Sequence, residues 1–71
     1  MTYSEKIEYM LENKIYEKIE FNQAVEEVKN WLFEELNENK ISEEDYHFLV
    51  GMVEPIGFRI RKKLHVYLGE E

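Results

Sequence analysis

The side chains that could carry acid–base, nucleophilic or metal chemistry are few, and their spacing does not bring them together. The histidines, His47 and His65, lie eighteen positions apart, and neither has a second histidine three or four residues away, the spacing that lets one helix face bind a metal. The serines are Ser4 and Ser42, and Ser42 is better explained as a helix cap. Adjacent glutamates diverge by about 100° on a helix. We therefore predict a protein that is not an enzyme and that holds no metal or other cofactor.

Carboxylates are the most abundant charged group. The chain of 71 residues has 16 acidic and 9 basic residues and a net charge of -7, which disfavours DNA, RNA or an anionic membrane as a partner of the whole chain. Glu27, Glu34 and Glu38 lie within about 40° of one another on a predicted helix, and Trp31 borders them. We call these four residues the acidic surface. Its carboxylates could imitate a phosphate backbone and compete for a cleft lined with Lys and Arg.

Two interpretations of the acidic surface stay open. A surface helix must expose polar residues to water, and Glu is a good helix former, so the surface can be a solvated face without a partner. The alternative is a partner-binding surface anchored by Trp31, because buried aromatic side chains dominate the binding energy of many interfaces.

A basic cluster lies near the C-terminus and consists of Arg59, Arg61, Lys62 and Lys63. Basic groups close to aromatic residues are typical of nucleic-acid contacts, so a small DNA-contacting regulator is one alternative. Four cations are few beside a strongly acidic body, however. We favour their pairing with acidic residues of the second and third predicted helices, or of a second subunit. A helix-turn-helix is disfavoured, because its recognition helix would begin with three acidic residues facing phosphates.

Apolar residues that recur every three or four positions predict two helices in the first half of the chain. A capping box at residues 2–5 begins the first helix, which spans about residues 3–19. Alternating residues at 15–21 leave a short strand as an alternative there. Asn22 is expected to cap a second helix that ends near Asn37.

The second half of the chain opens with the clearest helix start. Ser42 is expected to cap a third helix, whose first turn carries three acidic residues where the helix dipole favours them. Pro55 lacks an amide hydrogen, so this helix should end or kink there. Residues 56–68 fit both a helical and an alternating period. We favour a separate fourth helix, with a strand over 58–68 as the alternative.

These elements predict an all-α fold in a single domain over residues 1–71, a small bundle of three helices and a C-terminal fourth helix. Without cysteine, the fold must be held by its apolar core. The predicted centre of that core is Val25, Val28, Leu32, Leu36, Leu49, Val50 and Val53.

Aromatic residues, 14% of the chain, are many for so small a core. Tyr3, Tyr9, Tyr16 and Phe33 fall off or at the edges of the apolar stripes, and exposed aromatic area indicates an interface with a partner or with a second copy. Alternatively, a tyrosine ring can shield the edge of the core while its hydroxyl stays in water.

Together these features favour a small, acidic, non-enzymatic protein that binds and modulates another protein. The sharper form is an inhibitor of the kind that phages encode, which blocks a basic nucleic-acid-handling protein. A self-assembling structural or accessory protein, such as a homodimer, is an alternative, and it places the interface at Tyr16 or Phe33. We expect a cytoplasmic protein, because no apolar stretch suits a signal peptide or a membrane span.

Overall fold

The computed structural model describes residues 1–67 and the side chains of residues 1–63. This part of the chain forms three helices and no strand: α1 (Tyr3–Tyr16), α2 (Phe21–Asn37) and α3 (Glu43–Tyr67). Each helix packs against both of the others. The all-α prediction is therefore confirmed for these residues, and none of their helices is long and apolar enough to cross a bilayer.

The start of α1 follows the sequence signal, but its end does not. The Thr2 hydroxyl accepts a hydrogen bond from the Glu5 amide at 3.2 Å, and the Glu5 carboxylate accepts one from the Thr2 amide at 2.9 Å, which completes the capping box. The helix ends at Tyr16, three residues before the predicted end, because Lys18 adopts a left-handed backbone with φ of 63°. The alternative strand over 15–21 is also wrong.

The predicted cap of α2 is wrong, whereas its predicted end at Asn37 is correct. The helix starts at Phe21, so Asn22 lies inside its first turn, and Glu20 precedes it without a side-chain cap bond. Phe21 stacks on the Phe58 ring with centroids 4.9 Å apart. We attribute the early start to this packing. A capping signal depends only on neighbouring residues, so it cannot indicate a contact between distant parts of the sequence.

The third helix begins as predicted and continues further than predicted. The Asp45 amide donates to the Ser42 hydroxyl at 3.0 Å. Pro55 lies inside α3, so neither a separate fourth helix nor a strand is present over the described part of 56–68; Leu68 lies outside it. The carbonyl that loses its helical partner belongs to Gly51, four residues before Pro55, and both residues are exposed. Water can therefore reach that carbonyl, which reduces the cost of a proline in a helix.

The core draws on all three helices. Five of the predicted residues are buried, namely Val25, Val28, Leu32, Leu49 and Val53, while Leu36 and Val50 are half-buried. The remaining buried apolar residues are Ile7, Leu11, Ala24, Ile56 and Ile60. Because Ile56 and Ile60 belong to the same core, the segment after Pro55 stays aligned with the first half of α3.

Candidate protein-interaction surfaces

The residues that could carry chemistry remain apart in the structure. His47 is exposed, with its Nε2 atom 4.0 Å from a Glu43 carboxylate oxygen. The Ser4 hydroxyl lies 3.9 Å from the Met52 sulfur, and Ser42 serves as a cap. The side chain of His65 lies outside the described part. Within that part, no three acidic or histidine side chains are placed to hold a metal ion.

The acidic surface is largely neutralised from within the chain. Glu27 accepts hydrogen bonds from the Lys14 ammonium at 2.7 Å and from the Gln23 amide at 3.0 Å. These bonds, with Lys14 the main cause, lower the pKa of Glu27 below its usual value. Glu38 pairs with Lys40 at 2.8 Å, which raises the pKa of that lysine. Among the described residues, only Glu34 of the three carboxylates has no cationic partner.

Trp31, the predicted anchor of the acidic surface, is half-buried and packs against the core. Its ring centroid lies 5.7 Å from that of Tyr3 in a tilted arrangement. The Lys6 ammonium lies 4.9 Å from the Tyr3 ring, a cation–π distance. Trp31 thus joins α2 to α1, and only part of its ring is available to a partner.

Glu35 is the one charged residue buried in the described part of the chain, with 9% of its surface exposed, and it was not among the predicted functional residues. Its carboxylate accepts a hydrogen bond from the Tyr3 hydroxyl at 2.9 Å and lies 3.5 Å from the Lys40 ammonium. The hydrogen bond to Glu35 is the main reason why the pKa of Tyr3 is raised. The sequence does indicate the burial of Glu35, because this residue follows the core residue Val28 by seven positions and so lies on the same helix face.

The basic cluster is only partly paired. Arg59 contacts Glu8 of α1 at 3.3 Å, rather than an acidic residue of α2 or α3. The Arg61 guanidinium lies 5.2 Å from the centroid of the Phe21 ring. Lys62 and Lys63 are exposed, and neither forms an ion pair within the described part. Two of the four members therefore contact side chains of this chain, and all four remain exposed.

The outward side of α1 combines exposed aromatic rings with carboxylates. Tyr9 and Tyr16 are 61% and 55% exposed, as their positions off the apolar stripe predicted. Phe33 is exposed as well, whereas Tyr3 is half-buried. A shallow groove of about 280 Å³ beside Tyr9 is lined by the carboxylate residues of this side. We define the α1 outer face, which spans an arc of about 60°, as Glu5, Tyr9, Glu12 and Tyr16.

A second exposed aromatic surface lies on α3, and it was not among the predicted surfaces. Phe48 and Phe58 are 65% and 54% exposed. The residues between them on this side are the small Gly51 and the exposed Pro55. The sequence signal for this surface is its spacing. Gly51, Pro55 and Phe58 follow Phe48 by three, seven and ten residues, which places all four on the side of the helix opposite Val53. We define the α3 outer face, an arc of about 80°, as Glu44, Phe48, Gly51, Pro55, Phe58 and Lys62.

Comparison with known proteins finds no significant similarity to this chain. No protein-family model matches the sequence, and searches of curated proteins and of solved structures find no significant match. Any functional inference therefore depends on the surfaces described above.

Proposed function

We propose that this chain is a non-enzymatic protein-binding module that modulates a basic partner protein, with the α1 outer face as its main contact surface. The observation that carries the proposal is the exposure of Tyr9 and Tyr16 among carboxylates on one side of α1. Exposed tyrosines are enriched at interfaces, because the ring supplies apolar contact area and the hydroxyl supplies a hydrogen bond.

The charge around these tyrosines supports a basic partner. Glu5 and Glu12 form no ion pair within the described part of the chain, while Glu8 beside them pairs with Arg59. Glu5 is held by the capping box, which lowers its pKa chiefly through the backbone hydrogen bond from Thr2, so it stays ionised. Together with the net charge of -7, these carboxylates would steer a Lys- and Arg-rich surface toward the tyrosines.

The acidic surface has a secondary role in this proposal. Glu27 and Glu38 already pair with lysines of the chain. A basic partner would have to displace those lysines before it could pair with the two carboxylates. Glu34 needs no such displacement within the described part. An inhibitor of a nucleic-acid-handling protein is the sharper form of the proposal, because a cleft that binds phosphates would also accept these carboxylates.

The proposal is tested by affinity capture from a bacterial lysate at about 50 and about 200 mM salt, with mass spectrometry, followed by titration of the purified partner. The variants are Tyr9→Ser/Tyr16→Ser, the triple change Glu27→Gln/Glu34→Gln/Glu38→Gln, and Phe33→Ser as a matched aromatic control on α2. We expect the tyrosine variant to weaken binding by about tenfold or more, since interface tyrosines are frequent hot spots. The control should bind as the wild type does.

The other outcomes separate the possible surfaces. Loss of binding in the triple glutamate variant alone would move the interface to the acidic surface. Full binding by both variants, or capture of no basic protein by the wild type, would overturn the proposal. Circular dichroism of each variant shows whether the helices are intact.

A further inference from the structure

We infer that the chain forms a symmetric homodimer in which the α3 outer face packs antiparallel against the same face of a second copy. This inference is independent of the proposed function, because it uses a different helix from the α1 outer face. Three observations carry it: an exposed apolar centre, a residue pattern that is complementary to itself, and opposite charges at the two ends of the face.

The centre of the face is apolar and allows close approach. Phe48 and Phe58 stand about 15 Å apart along the helix. Both are more than half exposed, and the Phe58 ring also stacks on Phe21 of α2. Gly51 and Pro55 lie between them, and a Cβ atom added at Gly51 would meet no other atom within 4 Å. Because glycine has no side chain and the proline ring is compact, the middle of the face lets the backbone of a second helix approach closely.

The pattern is complementary to itself when two copies run antiparallel. A two-fold axis at the level of Val53 places Phe48 level with Phe58 of the second copy, because both are five residues from Val53. The same axis places Gly51 level with Pro55 of the second copy. The two phenylalanines lie on opposite sides of the midline of the face, so their rings pass beside each other rather than collide. This is the geometry of an isologous interface.

The charges select the antiparallel orientation. Glu44 and Lys62 are each nine residues from Val53, both are exposed, and neither forms an ion pair within the described part of the chain. The two-fold axis brings each Glu44 level with Lys62 of the second copy and so forms two ion pairs. A parallel arrangement would instead place like charges together, which is unfavourable.

The size of the face indicates a weak dimer. Its six residues span about 27 Å along the helix at a width of about 10 Å. This footprint of roughly 300 Å² is smaller than the roughly 800 Å² that each partner contributes to a standard stable interface. We therefore expect a monomer–dimer equilibrium that shifts with concentration rather than a permanent dimer.

The test is sedimentation equilibrium from about 5 to about 500 µM protein, the range in which weak interfaces associate. The wild type, Glu44→Lys and Lys62→Glu are measured separately, and the two variants are then mixed in equal amounts. Each variant alone brings like charges together at both ends, so its dimerisation should weaken by about tenfold or more. The mixture should restore it, since the introduced lysine of one variant then faces the introduced glutamate of the other, and the unchanged Lys62 faces the unchanged Glu44.

Further variants separate this interface from effects on the fold. Gly51→Lys should block dimerisation while it leaves α3 intact, because the position is exposed and lysine is a better helix former than glycine. Glu26→Lys, an exposed change on α2, is the matched charge control and should dimerise normally. A monomer at the highest concentration, no recovery in the mixture, or loss of the dimer in Phe33→Ser or Tyr16→Ser instead would overturn the inference.

Discussion

The acidic surface and the α3 outer face both carry exposed charge on a helix, yet the chain treats them differently. On the acidic surface, Lys14 and Lys40 reach two of the three carboxylates at 2.7 and 2.8 Å. On the α3 outer face, Glu44 and Lys62 find no counter-charge within the described residues. A high density of charge in the sequence therefore does not by itself indicate unpaired charge on the surface, because basic side chains elsewhere in the folded chain can pair with the carboxylates.

The difference follows from the position of each surface in the bundle. The acidic surface borders α1 and the turn after α2, which carry Lys14 and Lys40. The α3 outer face lies on the side of the helix opposite the buried Val53. Its Phe58 stacks on Phe21 of α2, but its charged ends, Glu44 and Lys62, have no ion-pair partner within the described residues. A surface that borders a neighbouring helix can be satisfied within one chain, whereas an outward surface can be satisfied only by water or by another molecule.

The largest expected effect tests whether the carboxylates of α2 are structural, and it compares adjacent glutamates. Glu35→Ala removes the acceptor of the Tyr3 hydroxyl and a partner of Lys40. We expect it to lower the free energy of unfolding by about 2 kcal/mol, the typical cost of losing a largely buried hydrogen bond to a charged group. Glu34→Ala, which removes an exposed side chain, should change it by no more than about 0.5 kcal/mol. Urea denaturation of both variants measures the difference.

A third variant identifies the cause. Glu35→Gln keeps an oxygen that can accept the Tyr3 hydrogen bond, so its stability should lie between those of the wild type and Glu35→Ala. If Glu34→Ala and Glu35→Ala had equal stability, the hydrogen bond that joins the start of α1 to α2 would contribute nothing, and the contrast between exposed and structural carboxylates on α2 would fail.

The fold was predictable where the signal is local. The capping box at residues 2–5 and the Ser42 cap were identified from their spacing, because a cap depends on residues within one turn. The start of α2 was not predictable from a local signal, because it depends on the packing of Phe21 against Phe58 of α3, which is distant in the sequence. The continuation of α3 through Pro55 also depends on packing, in this case on the burial of Ile56 and Ile60.

The candidate surfaces were predictable only in part, for the same reason. Helical spacing identified Tyr9 and Tyr16 as off the apolar stripe, and both are exposed. The pairing of Glu27 with Lys14 joins two helices, so no periodicity within one helix indicates it. The α3 outer face was missed because an expected helix end at Pro55 separates Phe48 from Phe58, which share a face only in a continuous helix.

The second prediction sharpens the contrast between the outward and inward sides of α3. Gly51→Ala, on the outward side, should raise the free energy of unfolding by about 0.5–1 kcal/mol, because alanine is the better helix former and its methyl group meets open space. Gly57→Ala would place its Cβ atom 3.1 Å from the Phe21 ring. We expect this crowding to cancel the helix gain and to lower stability by about 1 kcal/mol.

Both glycine variants are measured by thermal denaturation of dilute protein, so that association through the α3 outer face does not contribute. Gly57→Ala combined with Phe21→Leu is the control, since a smaller side chain at Phe21 relieves the crowding. Equal stabilisation by Gly51→Ala and Gly57→Ala would show that the Phe21 ring yields easily and that the two sides of α3 do not differ in packing.

The smallest expected effect concerns the ion pair between Glu27 and Lys14. Because the ammonium of Lys14 lowers the pKa of Glu27 in the folded protein, this carboxylate stabilises the fold fully above its unfolded pKa of about 4.3. The contribution is lost as the pH falls from that value through the lower folded pKa. The difference in melting temperature between the wild type and Glu27→Gln should therefore be present at neutral pH, shrink in acid and decrease with added salt. Lys14→Met should show the same pH dependence of its melting temperature relative to the wild type. If the difference between the wild type and Glu27→Gln stayed constant with pH, Glu27 would stabilise the fold through packing rather than through its charge. The acidic surface would then be less neutralised than the structure indicates.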